Sequence, residues 1–262
     1  MKHIPYLALL LTVITFSAAC TDKKAQLSKC WFYTYQENAG TRPTGSAADP
    51  VLDPTYFINL QKDTRYTSYM GSIDYGEWSV DGKYIVLKNV KGKARRIYVH
   101  KIGEKEMALD LEPANEDKSV NYFEGTVSPY KDDINDPFTM ENNRWRIPPV
   151  KKETAEEIVD RLKNHFRYWE KYFDWGLKTG KNSLDVRSLR GPLKMYGNGF
   201  ELVPFENWPD EWKACFFDEE DQQAAYDKLL HFMQTERIAW SKTDHKFKMF
   251  ISAFQQVQQK LR

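Results

Sequence analysis

The side chains that most often do chemistry are scattered along this chain. His100, His165, His231 and His245 stand singly, with no HExxH or CxxC motif around them. A metal site needs three or four such ligands to converge. No G-x-S-x-G motif supplies a serine nucleophile, and Cys215 precedes two phenylalanines, in surroundings typical of a buried, inert thiol. The sequence therefore predicts a protein that is not an enzyme and that has no metal or cofactor.

Cys20 is the one residue for which the sequence predicts a specific chemical modification. It follows a basic start at Lys2, an apolar run over residues 6–16 and small side chains at residues 17–19. This is the pattern of a secretory signal peptide over residues 1–19, too short to span a bilayer. The small residues before the cysteine resemble the lipobox of bacterial lipoproteins. That resemblance implies transfer of a diacylglycerol to the Cys20 thiol, cleavage before it, and acylation of the new amino group, for example with palmitate. A plain signal peptide cleaved nearby is the alternative.

The lipobox resemblance also implies a location in the cell envelope. Two acyl chains hold a soluble domain on a membrane surface almost permanently. Thr21 follows Cys20, where in some bacteria an aspartate retains lipoproteins in the inner membrane, so the outer membrane is the favoured location. The membrane, through lipidated Cys20, is the first expected partner.

Charge composition argues against nucleic acid as a partner. The chain has 38 basic and 37 acidic side chains, a formal net charge of +1. Without a positive field there is little electrostatic affinity for a polyanion. The basic run over residues 91–96 is the local exception, and we interpret it as a solvated turn.

The region from Cys30 to Thr126 has the pattern of β-strands. Short aromatic and β-branched segments alternate with turns, and the Asp81-Gly82 pair between two such segments is the strongest hairpin signal. The pattern predicts an antiparallel meander of about six to eight strands.

This β region resembles the lipocalin-like domains of bacterial lipoproteins. The resemblance rests on Trp31, on a strand-turn-strand from Leu60 to Tyr69, and on Gly76-Glu77-Trp78 leading through Asp81-Gly82 into a further strand. It implies an up-and-down β-barrel or half-barrel. In such a barrel an apolar ligand would be lined by inward aromatic side chains, and our candidates are Trp31, Tyr33, Phe57, Tyr66 and Trp78. Small barrels are often filled by their own side chains, so these residues are equally compatible with a core.

The C-terminal part changes to helical periodicity. A capping box at Thr154–Glu157 begins a helix that Gly180 ends, and two further helices are predicted from Asp218 to about Gln234 and from Phe247 to Leu261. Leu189–Trp212 is predicted to be an ordered loop. The resulting fold class is α+β, a β-barrel followed by a helical domain. The domains are a signal peptide (1–19), a lipocalin-like β-domain (20–126), a linker (127–153) and a helical domain (154–262).

Two cysteines remain besides Cys20. A disulfide between Cys30 and Cys215 would contribute roughly 5 kcal/mol in the chain-entropy model. Two buried thiols are the alternative, because sequence does not show whether the two Cα atoms approach each other.

These features predict a lipid-anchored, non-catalytic envelope lipoprotein that binds an apolar small molecule or an envelope protein. The alternative is a protein-interaction module such as an immunity or inhibitor lipoprotein. A hydrolase with an unrecognised site is the third hypothesis.

Overall fold

A computed structural model describes residues 23–38, 56–112, 119–181, 191–196, 199–240 and 245–262. The predicted signal peptide and Cys20 lie outside these residues. The predicted α+β class is confirmed, because a closed antiparallel barrel of eight strands is followed by helices. In the described part of the chain, no helix has the length and apolar character needed to cross a bilayer.

The barrel is a simple meander in which each strand neighbours the next and β1 closes against β8. A helical turn over residues 23–27 precedes it. The strands are β1 (Cys30–Asn38), β2 (Phe57–Leu60), β3 (Arg65–Tyr69), β4 (Ile73–Asp81), β5 (Tyr84–Asn89), β6 (Ala94–Ile102), β7 (Glu106–Asp110) and β8 (Ser119–Thr126).

Two glycines allow close contacts in the barrel. A Cβ atom at Gly76 would lie 2.2 Å from the Lys88 carbonyl oxygen on the paired strand. Gly125 lies opposite Trp31 in the register of β1 and β8, and a Cβ atom there would lie 2.7 Å from the indole. The glycine at position 76 of the Gly-x-Trp signal is thus explained by close strand approach.

The barrel core follows from alternation along the strands. On β4 to β6 the buried side chains are Trp78, Ile85, Leu87, Ile97 and Val99, and their neighbours are more exposed. β2 is buried at all four positions and β3 at four of five. Period-two burial explains why the sequence pattern predicted strands here.

The chain divides into two compact units. The first contains β1, Phe57–Thr67 and Asp74–Val127. The second contains Ser128–Arg262 and the short segment Ser68–Ile73, which includes Tyr69 at the end of β3. Tyr56 also belongs to the second unit.

The helices of the second unit are α1 (Met140–Asn143), α2 (Ala155–Thr179), α3 (Asp210–Lys213), α4 (Glu219–Thr235) and α5 (Lys246–Lys260). Short 3-10 turns cover Arg144–Arg146 and Phe205–Asn207. The expected capping box forms at Thr154, and Gly180 ends α2 in the left-handed conformation with φ of 70°. Phe173 on α2 contacts Phe247, Phe250 and Phe254 of α5, so the apolar stripe of α2 lies in the core.

Two parts of the second unit have more structure than the sequence pattern indicates. The predicted loop Leu189–Trp212 contains a hairpin of β9 (Leu193–Tyr196) and β10 (Gly199–Leu202). Within the predicted linker, residues 127–153, the side chains of Phe138, Trp145 and Arg146 are buried.

Candidate functional site

The aromatic residues predicted to line a barrel pocket are almost completely enclosed. Trp31, Phe57, Tyr66 and Trp78 are at most 2 % exposed. The Trp31 and Trp78 indoles donate to the Leu27 and Gln61 carbonyl oxygens, each at 2.8 Å, and the Tyr66 hydroxyl donates to Asp74 at 2.8 Å. Tyr33 is half-buried and contacts Phe123 edge-on. Side chains that are buried and internally hydrogen-bonded are typical of a core, and their ligand role stays a prediction.

The two cysteines with described positions are reduced thiols, so the disulfide between Cys30 and Cys215 does not form in this structure. Both thiols are buried. The Cys215 thiol donates to the Glu211 carbonyl oxygen at 3.3 Å, and burial raises the pKa of Cys215 to about 11. A thiol that is protonated at neutral pH is a weak nucleophile.

The described histidines differ in their exposure. His100 is exposed, whereas His165 is 1 % exposed. Among the described residues, no group of three or more His, Cys, Asp or Glu side chains could hold a metal ion.

The second unit contains a buried arginine surrounded by aromatic rings. The guanidinium carbon of Arg146 lies 4.1 Å from the ring centre of Tyr69, 4.3 Å from that of Trp145 and 4.9 Å from that of Tyr168. Its Nε donates to Asn143 Oδ1 at 3.0 Å. The residue is 8 % exposed. We call Arg146 and these three rings the arginine cage.

Next to the arginine cage lie several buried polar ring atoms. The His165 ring is 4.7 Å from Trp145 and 4.5 Å from Trp212, measured between ring centres. Within the described residues, neither His165 nitrogen has a hydrogen-bond partner, nor do the indole nitrogens of Trp145, Trp169 and Trp212. Burial, with the Arg146 charge as the second cause, holds the pKa of His165 well below its usual range. His165 is therefore a neutral core residue at physiological pH.

A surface groove of about 460 Å³ borders Trp145. Its lining is unusually basic. Arg144, Arg167 and Lys171 line it together with Glu141, Asn142, Asn164 and Ile134. We call it the basic groove. Arg144 forms an ion pair with Glu141 at 3.1 Å. The two other cations of the groove, Arg167 and Lys171, are one helical turn apart on α2.

Lys171 and Arg167 have no carboxylate partner among the described residues. Lys171 donates to Asn142 Oδ1 at 2.6 Å and to the Ile134 carbonyl oxygen, and Arg167 donates to Asn164 Oδ1 at 2.6 Å. Burial, followed by the Arg167 charge, lowers the pKa of Lys171, although the charges of Glu170, Asp132 and Glu141 act in the opposite direction. An anion in the groove would reduce this repulsion.

The Asn142 side chain holds the loop over residues 133–136, which borders the groove. Asn142 Nδ2 donates to the carbonyl oxygens of Asp133, Ile134 and Asp136 at 2.8 to 3.0 Å. Asp136 is buried, and burial raises the pKa of its carboxyl group despite a hydrogen bond from the Phe138 amide. Asn142 on α1 and Ile134 in the loop thus provide the two oxygen atoms that accept hydrogen bonds from Lys171.

Neither the arginine cage nor the basic groove was predicted from the sequence. Arg144, Trp145 and Arg146 fall in the segment assigned as a linker. The available signal was the Arg-Trp-Arg triplet itself, because aromatic residues and arginine are enriched at binding surfaces. No protein-family model, curated protein or solved structure was found to match this chain.

Proposed function

We propose that this chain is a non-catalytic, lipid-anchored binding protein of the cell envelope and that its basic groove receives a small anionic molecule. The anchor at Cys20 and the envelope location rest on the lipoprotein resemblance. The ligand class rests on one observation, which is that Arg167 and Lys171 share a groove without a carboxylate partner among the described residues.

The arrangement suits an anion because two like charges are already held close together. Arg167 and Lys171 are spaced i, i+4 on α2, a spacing at which like charges destabilise a helix. Lys171 is only half-exposed, so water screens its charge less than at an open surface. Charge-assisted hydrogen bonds from both side chains to one ligand would offset that cost.

The groove also has suitable size. Its volume of about 460 Å³ lies within the range of small-molecule sites. The barrel interior is the less favoured site, because Trp31, Phe57 and Trp78 there present almost no accessible surface.

Calorimetric titration with citrate and with glucuronate tests this proposal on the mature chain. We expect saturable binding that Arg167→Gln and Lys171→Gln each weaken by about tenfold or more, the usual effect of losing a hydrogen bond to a charged group. Lys248→Gln is the matched control, since Lys248 is exposed on α5 and does not line the groove. Equal weakening by Lys248→Gln, or no saturable binding of either acid, would contradict the proposal. A protein partner in place of a small acid would appear as an envelope protein whose binding depends on Arg167.

A further inference from the structure

We propose that Arg146 binds a small oxyanion, a carboxylate or a phosphate, through the two terminal nitrogens of its guanidinium group. The inference does not depend on the basic groove. It rests on how the faces, the edge and the neighbours of this one side chain are occupied.

The faces of the guanidinium are covered by rings. Tyr69, Trp145 and Tyr168 all have their ring centres within 4.9 Å of the guanidinium carbon. Such stacking stabilises the cation and limits its orientation. A guanidinium covered in this way can form hydrogen bonds only along its edge.

Most of that edge lacks an acceptor. Nε donates to Asn143 Oδ1, and Asn143 is itself fixed by donating to the Pro137 and Thr139 carbonyl oxygens, each at 2.7 Å. Within the described residues, no acceptor is within hydrogen-bond distance of the two terminal nitrogens. These nitrogens are not among the fully enclosed polar atoms, so the exposed 8 % of the residue leaves them reachable.

Arg161 in the same unit is a useful comparison, because each of its three guanidinium nitrogens donates to an acceptor. Its Nε and one terminal nitrogen contact the Glu153 carboxylate, and the other terminal nitrogen donates to the Trp145 and Ile147 carbonyl oxygens. Both members of this pair are about one-tenth exposed. Arg146 is buried to a similar extent but lacks the corresponding carboxylate. The planar fork of its two terminal nitrogens matches two oxygens of an external oxyanion.

One acidic residue opposes binding at this point. Glu211 and Arg146 both act electrostatically on Tyr69 and on Cys215, so Glu211 lies in the same neighbourhood. The Tyr56 hydroxyl donates to Glu211 at 3.5 Å. Removing this negative charge should strengthen oxyanion binding.

The test is a titration of the mature chain with sodium acetate and, separately, sodium phosphate, at an ionic strength held constant with sodium chloride. Tryptophan fluorescence is one readout, because Trp145 stacks on Arg146, and the midpoint of thermal unfolding is the second. We expect a saturable change with at least one of the two salts. Which salt acts identifies the oxyanion as a carboxylate or a phosphate.

Variants separate binding from packing. Arg146→Lys keeps the charge and loses the fork, and it should weaken binding at least tenfold, whereas Glu211→Gln should tighten it. Lys248→Gln, at an exposed position of α5 outside both the cage and the groove, is the control and should leave the response unchanged. A wild-type chain without a saturable response overturns the proposal even if the Arg146 variant fails to fold. An unchanged response in Arg146→Lys, or a response lost in Lys248→Gln, also overturns it.

Discussion

His165 is a buried imidazole whose polar atoms have no hydrogen-bond partner among the described residues. A buried polar group without a partner costs about 1 to 3 kcal/mol. The aromatic neighbours Trp145, Phe166 and Trp212 supply packing to the ring but no acceptor that the structure records. The residue therefore contributes volume to the core at an electrostatic cost.

We predict that His165→Phe stabilises the second unit at pH 7.5 by about 1 to 3 kcal/mol. The advantage should grow in acid. Because burial lowers the pKa of His165 in the folded protein, the unfolded chain takes up a proton more readily below its ordinary pKa of about 6.5. The wild-type chain then loses up to about 1.4 kcal/mol per pH unit from this group, and the variant does not.

Urea unfolding at pH 7.5 and pH 5.0 measures this difference. His100→Phe is the control, because His100 is exposed and should show no such pH dependence. Equal loss of stability on acidification in wild type and His165→Phe would refute the interpretation.

At this scale the sequence predicts types of residue better than their surroundings. Cys215 was expected to be buried, and the structure agrees. Arg146 and Trp145 were assigned to a linker because they lie outside any periodic stretch, and only tertiary contacts with Tyr69 and Tyr168 bury the arginine. Contacts between residues far apart in sequence leave no local pattern.

At the scale of elements, local sequence patterns were sufficient to predict the strands and helices that bury one face. The predicted hairpin joins β4 and β5, but Asp81 pairs with Tyr84, so the turn lies at Gly82-Lys83, one residue later than the predicted Asp81-Gly82 pair. The helix α2 begins and ends where the capping box and Gly180 indicate. The hairpin of β9 and β10 was not predicted, because each of its strands has only four residues. A strand of that length is too short to show alternation against irregular neighbours.

Substitution of Trp78 distinguishes a packed barrel core from a ligand pocket. In a packed core, Trp78→Ala should cost about 3 to 5 kcal/mol, and we expect this result because the indole is enclosed and donates to the Gln61 carbonyl oxygen. Thermal unfolding measures it, and uptake of a fluorescent fatty acid by the wild type tests the pocket directly.

The comparison for Trp78→Ala is Tyr98→Ala on the outer, partly exposed face of β6, which should change stability much less. Fatty-acid uptake by the wild type, together with a small stability loss in Trp78→Ala, would favour the barrel interior as the ligand site.

At the scale of the whole molecule, the near-equal numbers of basic and acidic groups conceal a local imbalance. The chain has a net charge of +1, yet Arg146, Arg167 and Lys171 all lack a carboxylate partner among the described residues. A net charge near zero gives little electrostatic affinity for a polyanion but is compatible with a small acid. Under the proposed function, selectivity for a single anion would come from the donors around it.

The predicted lipid anchor also concerns the whole molecule, and Cys20 lies outside the described residues. Because small residues precede Cys20 as in a lipobox, we predict that the wild-type chain from its own membrane carries a diacylglycerol and an amide-linked acyl group. Cys20→Ala should lack this mass and leave the membrane fraction or stay unprocessed, since two buried acyl chains are needed for stable anchoring. Intact-mass spectrometry of both proteins measures this. Cys30→Ala is the control and should keep the acyl mass. An unmodified Cys20 thiol in the wild type would instead favour an ordinary signal peptide, and the proposed binding sites of the second unit would then belong to a protein without this anchor.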